Sequence, residues 1–585
     1  MMSLVRLATF LKINLFLSLL LFFSVNAFPH KKNTIPAPIL SGMHTAKPVW
    51  AAHGMVASVE SMATDVGVDI LRKGGNAVDA AVAVGFTLAV TFPRAGNIGG
   101  GGFMIIHLAK TGENIAIDYR EMAPAKAHKD LFLDKKGNVI KNKSLFHGMA
   151  SGVPGSVMGM ELALKKYGSM SLSEVIQPAI HLAENGFPVS RDLYLSLQSL
   201  KKRLQKWPST KKVFYKKDGS SYQIGETFYQ KDLAKTLKLI AQKGSTGFYQ
   251  GEVAKKIALQ VQKAGGIMST ADLKNYHAEI RQPVTGTYRG YDIISMPPPS
   301  SGGVHLLQIL NILENYNMAS SGHNSANSIH YMVEAMKFAY ADRSKYLGDP
   351  DFYKVPVKQL TSKAYARRIF DKILPDKPIP SINIKPGMAL PYESNQTTHF
   401  SVADQWGNAV STTTTLNFSY GSGLIADGTG VFLNNEMDDF SAKAGVPNAF
   451  GLLGGKANAV EAGKRPLSAM TPTIVLKNNK PFLLTGSPGG SRIITTTLQL
   501  VMNVIDYQMN VAEASYASRI HHQWFPNEIR VERSLNQDTI RLLKKMGYKV
   551  VVKSAMGSTQ SIMFTPQGLY GASDPRTAVA KTAGY

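Results

Sequence analysis

Two threonines, Thr397 and Thr415, are spaced in a way that suggests chemistry. Two β-prone runs flank the turn-forming stretch Asp404-Gln-Trp-Gly-Asn408, which predicts a β-hairpin. If Ala403 faces Ala409 across this turn, Thr397 lies directly opposite Thr415, and two opposed hydroxyls can hydrogen-bond. A threonine hydroxyl acts as a nucleophile when a base activates it. A threonine-rich strand selected only for its β propensity explains the same pattern, and patterning alone leaves both interpretations open.

Two further groups of residues have both an ordinary and a functional interpretation. Taken alone, Gly489-Gly490 is a tight turn. The acidic loop that contains Glu436 and Asp439 is, on the same terms, a solvated patch or a weak metal site. Their residue types do not decide between these interpretations.

Other chemical motifs are incomplete. His521-His522 lacks the spacing of metal ligands, which favours a structural role. The glycine run 99–102 is not followed by the Gly-Lys-Ser/Thr of a phosphate-binding loop and has no G-x-G-x-x-G spacing, so a nucleotide-binding loop is disfavoured. No G-x-S-x-G motif occurs. We therefore expect neither a cofactor nor a bound metal.

The surrounding pattern predicts a helix-rich first part and a strand-rich part from Thr397 onwards, where the hydrophobic pattern has a period of two. Asn76 caps an almost uniformly apolar helix, which belongs inside a large protein. Five prolines between residues 374 and 395 predict a long, irregular, exposed segment. We predict helices over 59–73, 77–91, 156–167, 232–243, 304–313 and 328–346, and strands over 104–108 and 114–119, the second leading to Arg120.

The first 27 residues are typical of an export signal. Arg6 and Lys12 precede an apolar stretch, and Val25-Asn26-Ala27 offers a cleavage site, so we predict that residues 1–27 are removed. The alternative is a membrane anchor, but the apolar stretch is shorter than the ~20 residues of a span. The chain has no cysteine, which excludes a disulfide scaffold and a thiolate nucleophile. These features predict a periplasmic or secreted bacterial protein without a membrane span.

Composition indicates a globular protein with a basic surface. The chain has 585 residues, of which 44% are hydrophobic and 18% charged, and this excludes a mainly disordered chain. Loss of Arg6 and Lys12 with the signal reduces 65 Lys+Arg to 63, against 40 Asp+Glu, so the charge is +23. The densest basic stretches, 201–203 and 216–217, lack interleaved stacking aromatics. A solvated basic surface is therefore favoured over nucleic-acid binding.

The sequence around Thr397 resembles the signature of the γ-glutamyltranspeptidase family, and similar blocks cover nearly all of the mature chain. The blocks are Thr397-Thr-His-Phe-Ser-Val, Gly407-Asn-Ala-Val, Thr415-Leu-Asn417, Gly96-Asn-Ile-Gly-Gly-Gly-Gly-Phe103, Asp118-Tyr-Arg120-Glu-Met-Ala-Pro124, Leu433-Asn-Asn-Glu436-Met-Asp-Asp439, Gly486-Ser-Pro-Gly489-Gly490-Ser-Arg492 and Gly571-Ala-Ser-Asp-Pro-Arg576.

The resemblance implies an α/β fold of the N-terminal nucleophile hydrolases, a four-layer α-β-β-α sandwich built jointly by two processed subunits. Such a precursor cuts its own peptide bond, here Gln396–Thr397, into a large subunit (28–396) and a small subunit (397–585). Cleavage frees an α-amine on Thr397, and amines of this type have pKa values near 8, suited to general-base work. The subunits then form a heterodimer.

The resemblance also implies roles for individual residues. Thr397 is the nucleophile, Thr415 orients its hydroxyl, and the backbone N–H groups of Gly489 and Gly490 hold the oxyanion. The implied substrates are glutathione and other γ-glutamyl compounds. The acceptors are water, amino acids or dipeptides.

Four other positions match residues that bind the amino-acid end of the γ-glutamyl group. Arg120 binds the α-carboxylate, for which its fork geometry is suited. Asn417, Glu436 and Asp439 also hold this amino-acid end, and the two acids face the α-ammonium.

The chain departs from the family pattern at two places. Many members have two adjacent serines that help to bind the α-carboxylate, whereas this chain has Ser468-Ala469. Because one neutral hydrogen bond contributes about 0.5–1.5 kcal/mol, we expect weaker binding rather than lost function. Residues 444–455 resemble the lid over the substrate pocket, with Phe450 where some members have a tyrosine.

Two alternatives are weighed against this interpretation. A cephalosporin (glutaryl) acylase would use the same nucleophile on an acyl group without the α-ammonium, but Glu436 and Asp439 would then face nothing cationic. A non-catalytic basic surface-binding protein on a degenerate scaffold disagrees with the retention of Thr397, Thr415 and Arg120.

Overall fold

A computed structural model of the chain describes residues 44–385, 397–443, 446 and 454–585. Within these limits, Ala46–Tyr585 is a compact unit. The predicted signal peptide 1–27, Gln396, Phe450 and most of the predicted lid lie outside the described residues.

An antiparallel sheet, sheet I, carries the threonine hairpin at its centre. The strands on both sides of the hairpin are almost entirely buried, and except for His107 their side chains are apolar or small. In spatial order its strands are β21 (Lys581–Gly584), β2 (Met55–Ser58), β10 (Thr398–Ala403), β11 (Ala409–Thr415), β3 (Gly101–Leu108), β4 (Glu113–Tyr119) and β7 (Glu279–Arg281).

A second antiparallel sheet, sheet II, packs face to face against sheet I. The layer between them contains Phe103 and Ile105 of sheet I and Ile474, Leu484 and Ile562 of sheet II, all buried. In spatial order its strands are β1 (Val49–Ala51), β20 (Gly568–Ser573), β19 (Gln560–Thr565), β15 (Lys480–Thr485), β14 (Thr473–Lys477), β9 (Tyr291–Ser295) and β8 (Val284–Tyr288).

Helices cover the outer face of each sheet. The outer face of sheet I packs against α1 (Ser61–Arg72), α2 (Ala77–Thr91) and α3 (Ser156–Tyr167). The outer face of sheet II packs against α12 (Gly302–Leu313), α17 (Arg492–Ile505) and α18 (Val511–Tyr516). Every residue of α2 is buried because further helices cover its other side. The four-layer α-β-β-α architecture expected from the sequence is confirmed.

The remaining elements lie around this sandwich. The helices are α4 (Leu172–Asn185), α5 (Arg191–Ser199), α6 (Lys201–Leu204), α7 (Pro208–Phe214), α8 (Lys231–Lys243), α9 (Thr246–Tyr249), α10 (Gly251–Lys263), α11 (Thr270–Lys274), α13 (Met318–Ser321), α14 (Ala326–Tyr346), α15 (Val357–Leu360), α16 (Lys363–Phe370) and α19 (Gln537–Lys545). Short 3-10 helices span Gly148–Ala150, Ser381–Asn383, Glu436–Asp439 and Lys456–Asn458. The short strands are β5 (Phe187–Pro188), β6 (Thr227–Phe228), β12 (Ile425–Ala426), β13 (Val431–Phe432), β16 (Ile520–His521), β17 (Ile529–Val531) and β18 (Val550–Val552).

Most predicted elements agree with the structure. The hairpin has the predicted register, with Ala403 paired to Ala409. Helix α2 begins after Asn76, whose side chain forms a capping box with Asp79, and it ends at Thr91 as predicted. The glycine run bends at residues 98–100 and then enters β3, so only its first half is a turn.

The prediction of an exposed segment over residues 374–395 is wrong for part of the described portion. Ser381 and Ile384 are buried. The backbone is held from outside the segment, because Lys337 Nζ donates to the carbonyl oxygen of Ile379 at 2.8 Å. Prolines exclude regular structure here, but they do not prevent burial when partners satisfy the backbone.

Across the described ranges, none of the helices has the length and apolarity that a bilayer span requires.

Candidate active site

The Thr397 and Thr415 hydroxyls meet at one end of the hairpin in sheet I. Thr397 immediately precedes β10 and is half-buried, and its Oγ1 lies 3.3 Å from Oγ1 of Thr415 at the end of β11. The Thr415 hydroxyl accepts a 2.8 Å hydrogen bond from the backbone N–H of Asn417. A hydroxyl that accepts this bond still has its own proton to donate. The Thr415 hydroxyl can therefore orient the oxygen of Thr397.

The glycine run fixes the position of Thr415 by close packing. A Cβ on Gly100 would overlap the carbonyl oxygen of Thr415. The same carbonyl accepts a 2.9 Å hydrogen bond from Asn97 Nδ2, whose Oδ1 accepts from the N–H of Gly100 at 2.8 Å. Thr415 also pairs with Gly101 in the β-ladder. The glycine run therefore packs closely against the end of the hairpin and holds the backbone of Thr415 in place.

A narrow cavity of about 20 Å³ opens beside the two hydroxyls. It brings together most of the residues that the sequence analysis proposed, although they come from distant parts of the chain. Its lining comprises Thr397, Thr415, Arg120, Asn417, Glu436, Asp439, Ser468, Ala469 and Gly490, together with Arg343, Met470 and Ile493. We call it the head cavity. Gly489 does not line it.

Arg120 is the central cation of the head cavity. It follows β4, and its side chain is fully buried. Its Nη1 donates to Glu436 and its Nη2 to Asp439, while Nε donates to the carbonyl oxygen of Pro466 at 3.1 Å. Burial alone would lower the pKa of Arg120, but the charges of Glu436, Asp439 and Glu121 outweigh burial and raise it. Arg120 therefore stays charged inside the protein.

The acidic residues around Arg120 are enclosed rather than solvated: Glu436 and Glu121 are buried, and the side chain of Asp439 is 12% exposed. Burial raises the pKa of Glu436 well above its ordinary value; Arg120 opposes this shift, and Glu121 and Asp439 add to it. Burial likewise raises the pKa of Glu121 to about 7. Among the described residues, Glu436 Oε2 and Asn417 Oδ1 have no hydrogen-bond donor. The cavity thus contains two buried acceptor atoms that can receive donors from a ligand.

Arg343 is a residue of the head cavity that the sequence analysis missed. It lies in α14 and is 4% exposed, and its Nε donates to Ser301 Oγ at 2.9 Å. Burial lowers its pKa to about 10; Asp439 opposes this shift and Arg120 adds to it. The periodicity of α14 predicts the helix but does not distinguish Arg343 from its neighbours. No signal in the sequence marked it.

Ser468 and Ala469 line the side of the head cavity near Arg343. The carbonyl oxygen of Ser468 accepts from Ser301 Oγ at 2.8 Å, and its hydroxyl accepts from the N–H of Met470 at 3.1 Å. Ser301 therefore connects Arg343 to the Ser468 backbone. Ala469 contributes a methyl group that is 8% exposed.

The glycine pair lies in a left-handed turn between β15 and α17. Gly489 has φ of 136° and Gly490 has φ of 56°, conformations that favour glycine. Within the described part of the chain, neither N–H donates a hydrogen bond to another group. Two unused N–H groups beside a hydroxyl nucleophile can stabilise an oxyanion. The Gly489 side of the turn faces a second cavity.

The second cavity, of about 350 Å³, lies on the other side of Thr397. We call it the outer cavity. Its lining combines apolar residues, small residues and charged side chains. They are Val59, Phe92, Arg94, Arg191, Asp192, Leu195, Thr397, Pro488, Gly489, Ala555, Gly557, Ser558, Arg576, Thr577 and Ala578.

The histidine pair has a structural position. His521 Nδ1 lies 2.8 Å from Thr495 Oγ1, and the N–H of Trp524 donates to His522 Nδ1 at 3.0 Å. Both imidazoles are buried. In the ranges that the structure covers, no group of three or more His, Cys, Asp or Glu residues is arranged to hold a metal ion.

Fold and site together define a class of enzyme. Two stacked antiparallel sheets lie between helical layers. Thr397 precedes a central strand and lies beside two backbone N–H groups that donate to no described residue. This is the architecture of the N-terminal nucleophile hydrolases.

Comparison with known proteins specifies the family. The family model described as gamma-glutamyltranspeptidase matches residues 63–584. The glutathione hydrolase proenzyme of Escherichia coli (strain K12) is 57% identical over 539 residues, which cover 92% of this chain and 93% of the relative. The chain belongs to the γ-glutamyltranspeptidase family.

Solved structures agree with this assignment. Cephalosporin acylase from Bacillus halodurans superposes with a TM-score of 0.79 at 28% identity, covering 95% of this chain and 99% of that chain. Helicobacter pylori gamma-glutamyltranspeptidase gives a TM-score of 0.55 at 51% identity, covering 61% of this chain and 99% of that chain.

Proposed function

We propose that the protein is a self-processing γ-glutamyltranspeptidase and glutathione hydrolase. This proposal rests on the residues that line the head cavity. The hydroxyls of Thr397 and Thr415, 3.3 Å apart, share it with Arg120, Glu436 and Asp439. A nucleophile thus lies beside groups whose charges complement a free amino-acid head.

Maturation is the first step of the proposal. The precursor, after loss of residues 1–27, cuts the bond Gln396–Thr397 into subunits of residues 28–396 and 397–585. The new α-amine of Thr397 has an ordinary pKa near 8 and takes the proton of the Thr397 hydroxyl. Nucleophile and base are then on one residue.

The γ-glutamyl head binds by exchange of ion pairs. Its α-carboxylate pairs with Arg120, with Ser468 and Arg343 nearby, and its α-ammonium pairs with Glu436 and Asp439. In the structure, Arg120 pairs with both of these acids. A zwitterionic head therefore replaces internal ion pairs with equivalent ones, so no buried charge is left unpaired. Asn417 Oδ1 and Glu436 Oε2 gain the donors that they lack.

Acyl transfer then proceeds in two balanced steps. Thr397 Oγ1 attacks the γ-carbonyl carbon while its proton moves to the α-amine, and the N–H groups of Gly489 and Gly490 bind the oxyanion. The carbon–nitrogen bond breaks, and the leaving amine takes the proton. Water, or the amine of an amino acid or dipeptide, attacks the resulting glutamyl ester, and Thr397 recovers its proton. We place the enzyme in the periplasm or outside the cell, because of residues 1–27.

The acylase alternative is tested with γ-glutamyl and glutaryl anilides. The proposal pairs Asp439 with the α-ammonium, so a glutaryl group, which lacks this cation, should bind less tightly. We expect the wild type to prefer the γ-glutamyl anilide, and Asp439→Asn to lose most of that preference. A wild-type preference for the glutaryl anilide would replace our proposal by the acylase.

A further inference from the structure

The outer cavity has the size and position of a second binding site. Its volume of about 350 Å³ lies within the range of small-molecule sites, ~300–1,000 Å³. It shares Thr397 with the head cavity, and the glycine turn divides the two, because Gly489 lines the outer cavity and Gly490 the head cavity. A group bound in the outer cavity therefore lies on the opposite side of the reacting carbonyl from the glutamyl head.

Most charges that line the outer cavity are already compensated. Arg94 Nη1 pairs with Asp192 Oδ1 at 2.8 Å. Arg576 is held by Glu532 and Asp574, with its Nη1 3.1 Å from Asp574 Oδ1. These side chains form the wall of the cavity without adding a free charge.

Arg191 is the exception. It is exposed and lines the cavity, and no described residue forms a hydrogen bond or an ion pair with its side chain. The adjacent Asp192 does not neutralise it, because Asp192 pairs with Arg94. The other charges of the cavity are paired, so the guanidinium of Arg191 favours an anionic ligand. Its planar group can donate two parallel hydrogen bonds to a carboxylate.

We propose that Arg191 binds the terminal carboxylate of the group on the far side of the scissile bond. This group is the dipeptide that leaves the donor, or the dipeptide that later accepts the glutamyl group. In both, the reacting amine lies at Thr397 and the carboxylate lies at the other end of the molecule. The inference rests on the proposed function and specifies its acceptor class as dipeptides with a free carboxylate.

The test compares glutathione with its glycine amide, which lacks only the terminal charge. Processed wild type, Arg191→Gln and Arg191→Lys are assayed for release of the glutamyl group. Arg533→Gln is the matched control, since Arg533 is also exposed and also lacks a partner among the described residues, but does not line the cavity. Each Gln variant removes one positive charge, so the control accounts for the change in net charge.

We expect wild type and Arg533→Gln to prefer glutathione over its amide by about two- to fivefold in kcat/KM, as for a partly exposed ion pair. Arg191→Gln should bring the ratio to about 1, and Arg191→Lys should restore part of it. The preference should fall as salt rises. The same ratios are expected for the acceptors Gly-Gly and Gly-Gly amide.

A ratio that Arg191→Gln leaves unchanged, or a wild type with no preference, would overturn the inference. The proposed function fails separately, because a γ-glutamyl anilide has no terminal carboxylate. If wild type does not cleave this anilide, the function is wrong. The other outcome is that wild type cleaves the anilide while wild type and Arg191→Gln show the same preference for glutathione over its amide. In that case, only the assignment of Arg191 is wrong.

Discussion

The indole Nε1 of Trp524 donates a 2.8 Å hydrogen bond to the carbonyl oxygen of Ser381. Both residues are buried, and Ser381 Oγ donates a further bond to Asn527 Oδ1 at 2.9 Å. A residue after the proposed cleavage bond thus holds the chain shortly before it. Cleavage at the proposed bond Gln396–Thr397 would not remove this contact, so we expect the large subunit to stay attached at residue 381.

Self-cleavage is the first prediction. Purified protein should run as two chains on denaturing gels, and N-terminal sequencing of the smaller should read Thr-Thr-His-Phe. Thr397→Ala removes the nucleophile and should remain one chain. Thr397→Ser keeps a hydroxyl and should still be cut. A normally processed Thr397→Ala protein would falsify the assignment of Thr397.

The second prediction concerns the packing of Gly100 against Thr415. Gly100→Ala forces a Cβ into the Thr415 carbonyl oxygen, so we expect a loss of about 3 kcal/mol in stability and slow processing. Gly112→Ala is the control, because Gly112 has φ of 70° but no atom near the added Cβ. It should cost about 1 kcal/mol and process normally. Equal processing rates in both variants would show that the glycine run does not position Thr415.

The third prediction concerns Arg120 and glutathione. Loss of a buried charge partner costs ~2–5 kcal/mol, so Arg120→Ala should lower kcat/KM for glutathione by at least about thirtyfold. Self-cleavage uses no glutamyl head and should proceed nearly normally. Arg120→Lys keeps a positive charge beside Glu436 and Asp439 but loses the planar guanidinium that binds a carboxylate through two hydrogen bonds. It is therefore the less disruptive variant. A processed Arg120→Lys protein with wild-type kcat/KM would contradict carboxylate binding by Arg120.

The fourth prediction restores a hydroxyl at position 469. Ala469 lines the head cavity, so Ala469→Ser can add one hydrogen bond to the α-carboxylate. A neutral hydrogen bond contributes about 0.5–1.5 kcal/mol, which corresponds to a rise in kcat/KM of roughly two- to twelvefold. Steady-state kinetics with glutathione measure this effect. A fall in kcat/KM would indicate that the methyl group fits the substrate better than a hydroxyl.

The fifth prediction concerns acid stability and His305 in α12. Burial, with a contribution from Arg343, lowers the pKa of His305 to about 3 from an ordinary value of 6.5. Below pH 6.5 the unfolded chain binds a proton that the folded chain does not, so stability falls as the pH drops towards 3. Between pH 7.5 and 5.0, His305→Leu should lose about 2 kcal/mol less stability than its parent.

Urea unfolding of the uncut Thr397→Ala chain, with and without His305→Leu, measures this difference. His128→Leu, at an exposed position, is the matched control and should keep the pH dependence of the parent. If His305→Leu also keeps it, the imidazole of His305 is not the group that binds the additional proton on unfolding.

Patterning in the sequence predicts features that depend on neighbouring residues and does not predict contacts between distant ones. The turn at residues 404–408 sets the hairpin register, so the Thr397–Thr415 contact follows from local pattern. The pairing of Arg120 with Glu436 joins residues 316 positions apart, and no periodicity encodes it. Arg343 was missed for the same reason, because α14 has the same periodicity with or without a cavity beside it. The burial of Ser381 likewise depends on Trp524, far along the chain.

The order of strands in sheet I has a consequence for the mature protein. Strands β10 and β11, from the proposed small subunit, lie between β2 and β3 of the large one, and β21 pairs with the other edge of β2. In sheet II, β14 pairs with β9 and β20 with β1, again across the two subunits. Neither chain can leave without breaking the central ladders of both sheets. If the chain is cut as proposed, we therefore expect that dilution does not separate the two subunits and that they dissociate only when the whole molecule unfolds.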